Sequence, residues 1–427
     1  MPTLRARRSL SEWLRYIQSV HHRSIDMTLE RPRTVLAKMG LSTSQFVVIS
    51  VSGTNGKGSS VAMLEEIYIG ARYKVGAYTS PHLVLYNERV SINGEPVSDA
   101  ELCDAFELVE GLRGEVPLTY FEFGTLAAVE IFCNRKVDVA LLEVGMGGRL
   151  DAVNLFDANV ALITAIGIDH VAWLGKDRES IGYEKAGLFR AAAPGICADP
   201  DPPQSVRRAA AKVGAKFYQA QIDFHCQMAS HNWSWRGPNG PLENLPLPLD
   251  GGASQVQNAS GALMVLECLS SDLPLSPWHI RQGLTHAKCP GRLQVISGEP
   301  LHILDVAHNV EAVHLLCEFM KRHVVPGLTF AVVGMLQDKP IESMVAMLVT
   351  TVDAWHVGSL NVPRGAQSSV IARAIRGASP AAHIAEHLSV QCAYQAACAA
   401  ATSGDRIVVF GSFYTVGAIM PCLQQTL

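Results

Sequence analysis

No two cysteines in this chain stand in a C-x-x-C pair, although ten are scattered from Cys103 to Cys422. That spacing excludes a zinc site and a disulfide framework as organising features, and it reads as reduced, mostly buried thiols. Long hydrophobic runs are missing too. No window approaches the roughly 18 apolar residues that a membrane helix needs. The basic start "MPTLRARRSL" leads into "SEWLRYIQSV", an amphipathic helix, with no continuous apolar leader segment between. Positive charge is not in excess: the formal net charge is -4, which argues against nucleic-acid binding through bulk charge. It leaves small anionic substrates open, because a few local cations can hold them. No G-x-G-x-x-G follows a strand pattern, so a dinucleotide site is not expected. There is no long-period repeat and no low-complexity tract. The chain reads as cytoplasmic.

What is present is apolar material in regular alternation. Hydrophobic residues make up 48% of 427, and a chain of this length is expected to divide into two domains. In the first half, strand-like runs at 46–51, 75–79, 137–144 and 159–166 alternate with helical patterns near 57–69, 98–112, 122–135 and 177–188. This order predicts α/β folding around mainly parallel sheets. "RVSINGEPV" (89–97) places Asn-Gly between extended runs, a hairpin signal. From about 221 to 249 the texture turns polar, aromatic and proline-rich, predicting a small antiparallel extension before helices at 254–269 and 276–284. Pro290 and Gly291 punctuate a linker. Beyond it "LHILDVA", "LTFAVVGML", "AWHVGSL" and "RIVVFGSF" alternate with helices near 309–323, 340–352, 368–376 and 388–401, a second α/β pattern.

The most informative stretch is "VSGTNGKGSS", 51–60. It sits between a strand and an apolar-periodic helix, the setting in which backbone N–H groups and a helix N-terminus cradle phosphates. Lys57 is placed to neutralise a polyphosphate. Two positions depart from G-x-x-x-x-G-K-[ST]: Val51 replaces the first glycine, and Gly58 replaces the hydroxyl that would hold Mg²⁺. Oxygen ligands must then come from other strand ends, where open α/β sheets place their ligands. Three such ends carry suitable residues: Ser80 in "TSPHL", Glu143 in "EVGMGGRLDAVN", and Asp169 with His170 in "GIDHVAWLG". Each also has a plain reading, as a turn residue or a structural hydrogen-bonding group.

Taken together, "SGTNGKGS", "TSPHL", "TYFEFGTLAA", "EVGMGGRLDAVN", "GIDHVAWLG", "ESIGYEKAG" and "DVAHN" resemble, in content and order, the bifunctional dihydrofolate synthase/folylpolyglutamate synthase family of Mur-type amide ligases. The match runs from "SIDMTLERP" to "VVFGSFYTV". The resemblance implies an N-terminal P-loop ATPase-like domain with a mainly parallel sheet (1–288), a linker (289–296) and a smaller C-terminal Rossmann-like α/β domain (297–427), with substrates in the cleft. It implies an enzyme that uses ATP and Mg²⁺, in all two metal ions, to join L-glutamate to dihydropteroate and to folates through an acyl phosphate. A monomer with small-molecule partners, and with neither nucleic acid nor membrane, is the expected form.

The same resemblance assigns residues. Thr54, Asn55, Gly56, Lys57, Gly58 and Ser59, with Asn258, Arg292 and Asp305, correspond to the ATP site; Ser80, Glu143 and His170 correspond to metal ligands. Lys185 in "GYEKAG" corresponds to a lysine carbamylated by CO₂ that serves the second metal. From spacing alone, Lys185 reads as a surface lysine beside Glu184, and only the resemblance reverses that reading. Ile25, Asp26, Met27, Thr119, Tyr120, Phe121, Glu122, Leu150, Asp151 and Ala152 correspond to the pterin or folate site, and the period of "TYFEFGTLAAVEIF" also suits plain core packing of its rings. His308 and Ser412 correspond to the glutamate site, with Lys57, Lys185 and His308 as the catalytic group. Val310 stands where the family usually has proline, and Pro340 where an acidic residue is common. Two other readings remain: a ligase acting on a UDP-muramoyl peptide, and a non-catalytic nucleotide-binding regulator.

Overall fold

The computed structural model describes residues 8–23, 25–41, 43–249 and 252–424; most of the basic N-terminal stretch lies outside them. Eight strands build the first sheet: β1 (Val47–Ser52), β2 (Val75–Tyr78), β3 (Val90–Ile92), β4 (Glu95–Pro96), β5 (Val139–Glu143), β6 (Val160–Ile163), β7 (Pro194–Cys197) and β8 (Lys216–Gln219). Their spatial order is β4-β3-β2-β5-β1-β6-β7-β8. From β2 to β8 every neighbouring pair is parallel, while β3 and β4 turn back as the Asn-Gly hairpin. Runs such as "VALLE" and "VALI" are buried along their whole length, as strands covered on both faces must be.

Helices on either side supply that cover. The helix Ala253–Cys268 buries residues right round its circumference, which is why no polar stripe marks it in the sequence. Helix Pro277–His286 lies so close to helix Lys57–Gly70 that a Cβ on Gly283 would stand 2.3 Å from the Ile67 side chain. Between them, β9 (His225–Met228), β10 (Asn232–Gly237) and β11 (Gly240–Pro246) form an antiparallel sheet of three strands. Its alternation hides Trp233 and Trp235 on one face, and Trp233 donates its indole N–H to the Pro246 carbonyl at 2.8 Å.

A second sheet is built from β12 (Gln294–Ile296), β13 (Leu301–Asp305), β14 (Thr329–Val333), β15 (Ala354–Gly358), β16 (His383–His387) and β17 (Arg406–Phe410), in the order β12-β13-β17-β14-β15-β16. All but the β12–β13 pair are parallel. The chain divides into two units, residues 1–81 with 87–288, and residues 82–86 with 289–427. Residues 289–296, read above as linker, therefore group with the second unit, and three of them form its edge strand. The short stretch 82–86 also packs there: a Cβ on Gly417 would stand 2.0 Å from the Leu83 carbonyl oxygen.

Other differences have local causes. The helix expected over 340–352 is only Ile341–Ala346; beyond it the chain closes into turns, with Leu348 N–H donating to the Val345 carbonyl and Thr351 N–H to the Leu348 carbonyl. Strands β7, β8 and β16 escaped the sequence reading: β8 and β16 are edge strands of mixed exposure, and β7 is a run of only four residues. None of the ten cysteines is in a disulfide; only Cys197 and Cys317 are buried and Cys392 is exposed, so burial is less complete than the sequence implied. Among the described residues no helix is long and apolar enough to cross a membrane.

Candidate active site

The glycine loop leaves β1 at Ser52 and enters helix Lys57–Gly70 at its N-terminus, with Gly56 at the cap in the left-handed region, φ 91°. Two glycines are obligatory for packing as well as conformation. A Cβ on Gly53 would lie 1.8 Å from Thr164 Oγ1, and one on Gly56 would lie 2.2 Å from Asn258 Oδ1. The loop is stitched to the end of β6: Thr54 N–H donates to the Ala165 carbonyl at 2.7 Å, and the Thr54 and Gly167 groups exchange two hydrogen bonds. Thr164 Oγ1 donates to the Asn55 carbonyl at 2.7 Å. Lys57 folds back over its own loop and donates to the carbonyls of Gly53 and Thr54 at 3.0 and 3.3 Å. Its ammonium is thereby fixed at the mouth of the helix N-terminus. Asn258, expected at the nucleotide site, is buried against Gly56 and held by Gln255. Gly56→Ala is expected to raise KM for ATP on the order of tenfold, because a left-handed alanine costs about 1–2 kcal/mol before the clash with Asn258 is counted. Steady-state kinetics with a melting curve checks this; an unchanged KM in a folded variant contradicts it.

At the same edge, β5 ends in Glu143, 3% exposed and in register with Val51 of β1. Ser80 follows β2 and donates its backbone N–H to Glu143 Oε2 at 3.2 Å. These two expected metal ligands are therefore direct neighbours. His170 lies beyond the end of β6 in the left-handed region, φ 52°, with Asp169 beside it: Asp169 accepts the His170 N–H at 2.8 Å and stands 3.9 Å from Nε2. Among the described residues no three His, Cys, Asp or Glu side chains are grouped closely enough to hold a metal ion. The donors present are a carboxylate, a hydroxyl and an imidazole, of which the two oxygens suit a hard cation such as Mg²⁺.

Lys185 answers the alternative left open by its spacing. It is 3% exposed, not a surface lysine; Glu184 beside it turns away to pair with Arg149 at 2.9 Å. Burial first, and then the neighbouring Lys57 ammonium, bring the Lys185 amine down to about 7, against the opposing charges of Asp169 and Asp151. Asp151 is pushed up to about 7 by burial, against backbone N–H groups and the charge of Lys57. Both of its oxygens are used, accepting from the N–H groups of Met146 and Val153 at 2.9 Å, so it shapes the 146–153 turn and caps the short helix that begins at Ala152. Leu150 lies in the same turn.

The remaining expected pterin contacts lie on two segments. Thr119 and Glu122 form a reciprocal capping box at the start of helix Tyr120–Arg135. Phe121 and Tyr120 both keep partial exposure, whereas Phe123 is the ring that enters the core. Phe121 lies tilted against Tyr78, ring centroids 5.7 Å apart, and fills the space over Gly145, where a Cβ would lie 2.8 Å from its ring. Arg89 sits over Tyr120 at 5.5 Å. Ile25, Asp26 and Met27 precede helix Glu30–Met39, and the Met27 methyl reaches to 3.7 Å of a Cβ placed on Gly147. Arg31, absent from the sequence reading, joins the two segments by donating to Asp26 and to Glu122. The signal available was an arginine in the first turn of a helix, where the dipole disfavours it.

In the second unit the expected residues gather where β13 and β17 end side by side, Asp305 in register with Phe410. Asp305 is buried and accepts the N–H groups of Leu293 and Ala307 at 3.0 and 2.7 Å. His308 Nδ1 bonds the Val306 carbonyl at 2.8 Å. Arg292 lies over the Phe413 ring at 5.2 Å, and His308 stands 6.0 Å from the same ring. Ser412 is buried and shares its hydroxyl with Thr415 at 2.8 Å. Val310 begins its helix without the proline, because Asn309 caps it by accepting the Ala312 N–H at 2.9 Å.

A glycine loop on a parallel sheet, followed by a second α/β unit with polar residues at its strand ends, fits a Mur-type ligase. The family models agree: residues 51–266 match the Mur ligase middle domain and 291–413 the glutamate ligase domain. The dihydrofolate synthase/folylpolyglutamate synthase of Escherichia coli strain K12 is 41% identical over 99% of this chain and 97% of its own length. A solved structure of E. coli FolC in complex with DHPP and ADP superimposes with a TM-score of 0.93 at 40% identity, covering 99% of this chain and 100% of that one. A bifunctional folylpolyglutamate synthase/dihydrofolate synthase with Mn, AMPPNP and L-glutamate bound gives 0.89 at 42%, covering 98% of both chains. The chain belongs to the dihydrofolate synthase/folylpolyglutamate synthase family.

Proposed function

We infer that this protein is an ATP-dependent ligase that joins the amine of L-glutamate to the carboxylate of dihydropteroate, and adds further glutamates to folates. A carboxylate is a poor electrophile, so it must first take the γ-phosphoryl group of ATP, releasing ADP. The amine then attacks the acyl phosphate, and phosphate leaves as the amide forms. Positioning and charge neutralisation account for most of such a phosphoryl transfer.

The observation that carries this reading is the concentration of charge at one sheet edge. Lys57 is pinned over the loop mouth, Glu143 is buried beside Ser80, and Lys185 is buried within electrostatic reach of Lys57, Asp151 and Asp169. Thr54 to Ser59 would hold the phosphates, with Asn258 against the loop. Glu143, Ser80 and His170 would hold Mg²⁺, which supplies charge neutralisation on the phosphates when bound. A lysine whose amine is about half unprotonated near neutrality is suited to carbamylation by CO₂; the resulting carbamate would add oxygen donors for a second Mg²⁺. We assign Ile25, Asp26, Met27, Thr119, Tyr120, Phe121, Glu122, Leu150, Asp151 and Ala152 to the pterin end of the substrate. His308 and Ser412 are assigned to L-glutamate, Arg292 and Asp305 to the nucleotide. We propose that the enzyme acts as a monomer.

ADP release tests the proposal. Release is expected with dihydropteroate plus L-glutamate, and again with tetrahydrofolate plus L-glutamate. Activity with the first pair alone restricts the enzyme to dihydrofolate synthesis, and no release with either overturns the reading.

A further inference from the structure

We propose that Arg31 is a positioning residue for the pterin site, a latch that ties the 25–27 segment to the start of helix Tyr120–Arg135 and presents Asp26 to the substrate. The inference rests on the functional reading above. Arg31 donates three hydrogen bonds of 3.0 Å: Nη1 to Asp26 Oδ2, Nη2 to the Asp26 backbone carbonyl, and Nη2 to Glu122 Oε1. Glu122 is bound from the other side, since its Oε2 accepts the Thr119 N–H at 2.7 Å. His21 Nε2 stands 3.4 Å from Asp26 Oδ2, so that oxygen is engaged twice. Asp26 Oδ1 has no hydrogen-bond partner among the described residues, and Asp26 keeps partial exposure. One oxygen is thus spent on the latch and the other is left to accept from the amino and ring N–H groups of a pterin.

Nothing in the helix itself favours an arginine here. Arg31 occupies the first turn of Glu30–Met39, where the positive end of the helix dipole repels it. Its Nε is buried with no partner among the described residues, a cost of about 1–3 kcal/mol for a desolvated donor. Lysine would avoid that orphan but lacks the planar fork that spans two carboxylates. Both penalties are offset only by the charge-assisted bonds to Asp26 and Glu122.

Arg31→Met and Arg31→Lys are the variants to measure, with Glu122→Gln as partner in a double-mutant cycle. In Arg31→Met, KM for dihydropteroate is expected to rise about thirtyfold, with kcat within about threefold and KM for ATP unchanged, the pattern of lost substrate positioning. Arg31→Lys should fall between, and Arg31→Met combined with Glu122→Gln should be little worse than Arg31→Met alone. An unchanged KM for dihydropteroate in a folded variant overturns the proposal, as does an equal rise in KM for both substrates. The latch itself is read without substrate: amide exchange at residues 25–28 should quicken in Arg31→Met and not in a surface control such as Arg208→Met. If the wild-type enzyme does not use dihydropteroate but exchange quickens, the functional reading fails and the latch stands. Unaltered exchange removes the latch whatever the substrate.

Discussion

Lys185→Ala is expected to lower kcat by about a thousandfold or more, the loss typical of removing a preorganised group at a site of developing charge. The fold should survive, and its melting temperature should be unchanged or higher. Lys185 is buried beside another cation, so its native amine is destabilised in the charged form and removing it relieves a cost. Bicarbonate should not rescue the variant, whereas a short carboxylic acid should restore part of the rate by supplying the missing oxygens. A fully active alanine variant sinks the assignment. Burial lowers the Lys185 amine from 10.5 to about 7, and only the unprotonated form reacts with CO₂. Between pH 6 and pH 8 that fraction climbs from about one tenth to about nine tenths. With dissolved CO₂ held at one concentration, enzyme stripped of CO₂ should therefore regain activity several times faster at pH 8 than at pH 6. The sign for stability is the same in the stripped protein. The unfolded chain binds more protons between about 7 and 10.5, so folding is favoured as pH rises through that window.

Lys57→Ala should be comparably severe. Its ammonium is the cation fixed over the loop carbonyls at 3.0 and 3.3 Å, where the β- and γ-phosphates would lie. Loss of one such charge is expected to cost about a hundredfold to a thousandfold in kcat and to raise KM for ATP. Arginine should not restore the rate, because its planar fork cannot replace a compact point charge within the glycine loop. The substitution has a second consequence that activity alone does not reveal. Lys57 pulls the Lys185 amine down and opposes the rise of Asp151. Without it, the Lys185 amine should titrate higher and Asp151 higher still. Following both by NMR of the labelled protein would test whether the three groups share one field.

Much of this site was legible in the primary structure because its parts obey local rules. Gly53 and Gly56 stand where a strand turns into a helix and no side chain fits. Glu143, Asp169 and His170 follow the apolar runs of β5 and β6 because residues after a parallel strand emerge at one edge. Other parts were not legible, for equally physical reasons. Tyr120 and Phe121 carry the same period as the core ring Phe123, and only the packed helix separates the partly exposed rings from the buried one. The stretch 82–86 is no different in composition from its neighbours, yet it packs with the second unit.

By itself the sequence determined the alternation of strands and helices, the glycine loop and the strand-end carboxylate, because each depends on residues within a few positions of one another. Only the tertiary structure decided that Lys185 is buried, that Lys57 shares its field, and that Arg31 joins Asp26 to Glu122. Desolvation and Coulomb interaction depend on distance in space, and residues 31 and 122, or 57 and 185, are brought near one another only by folding.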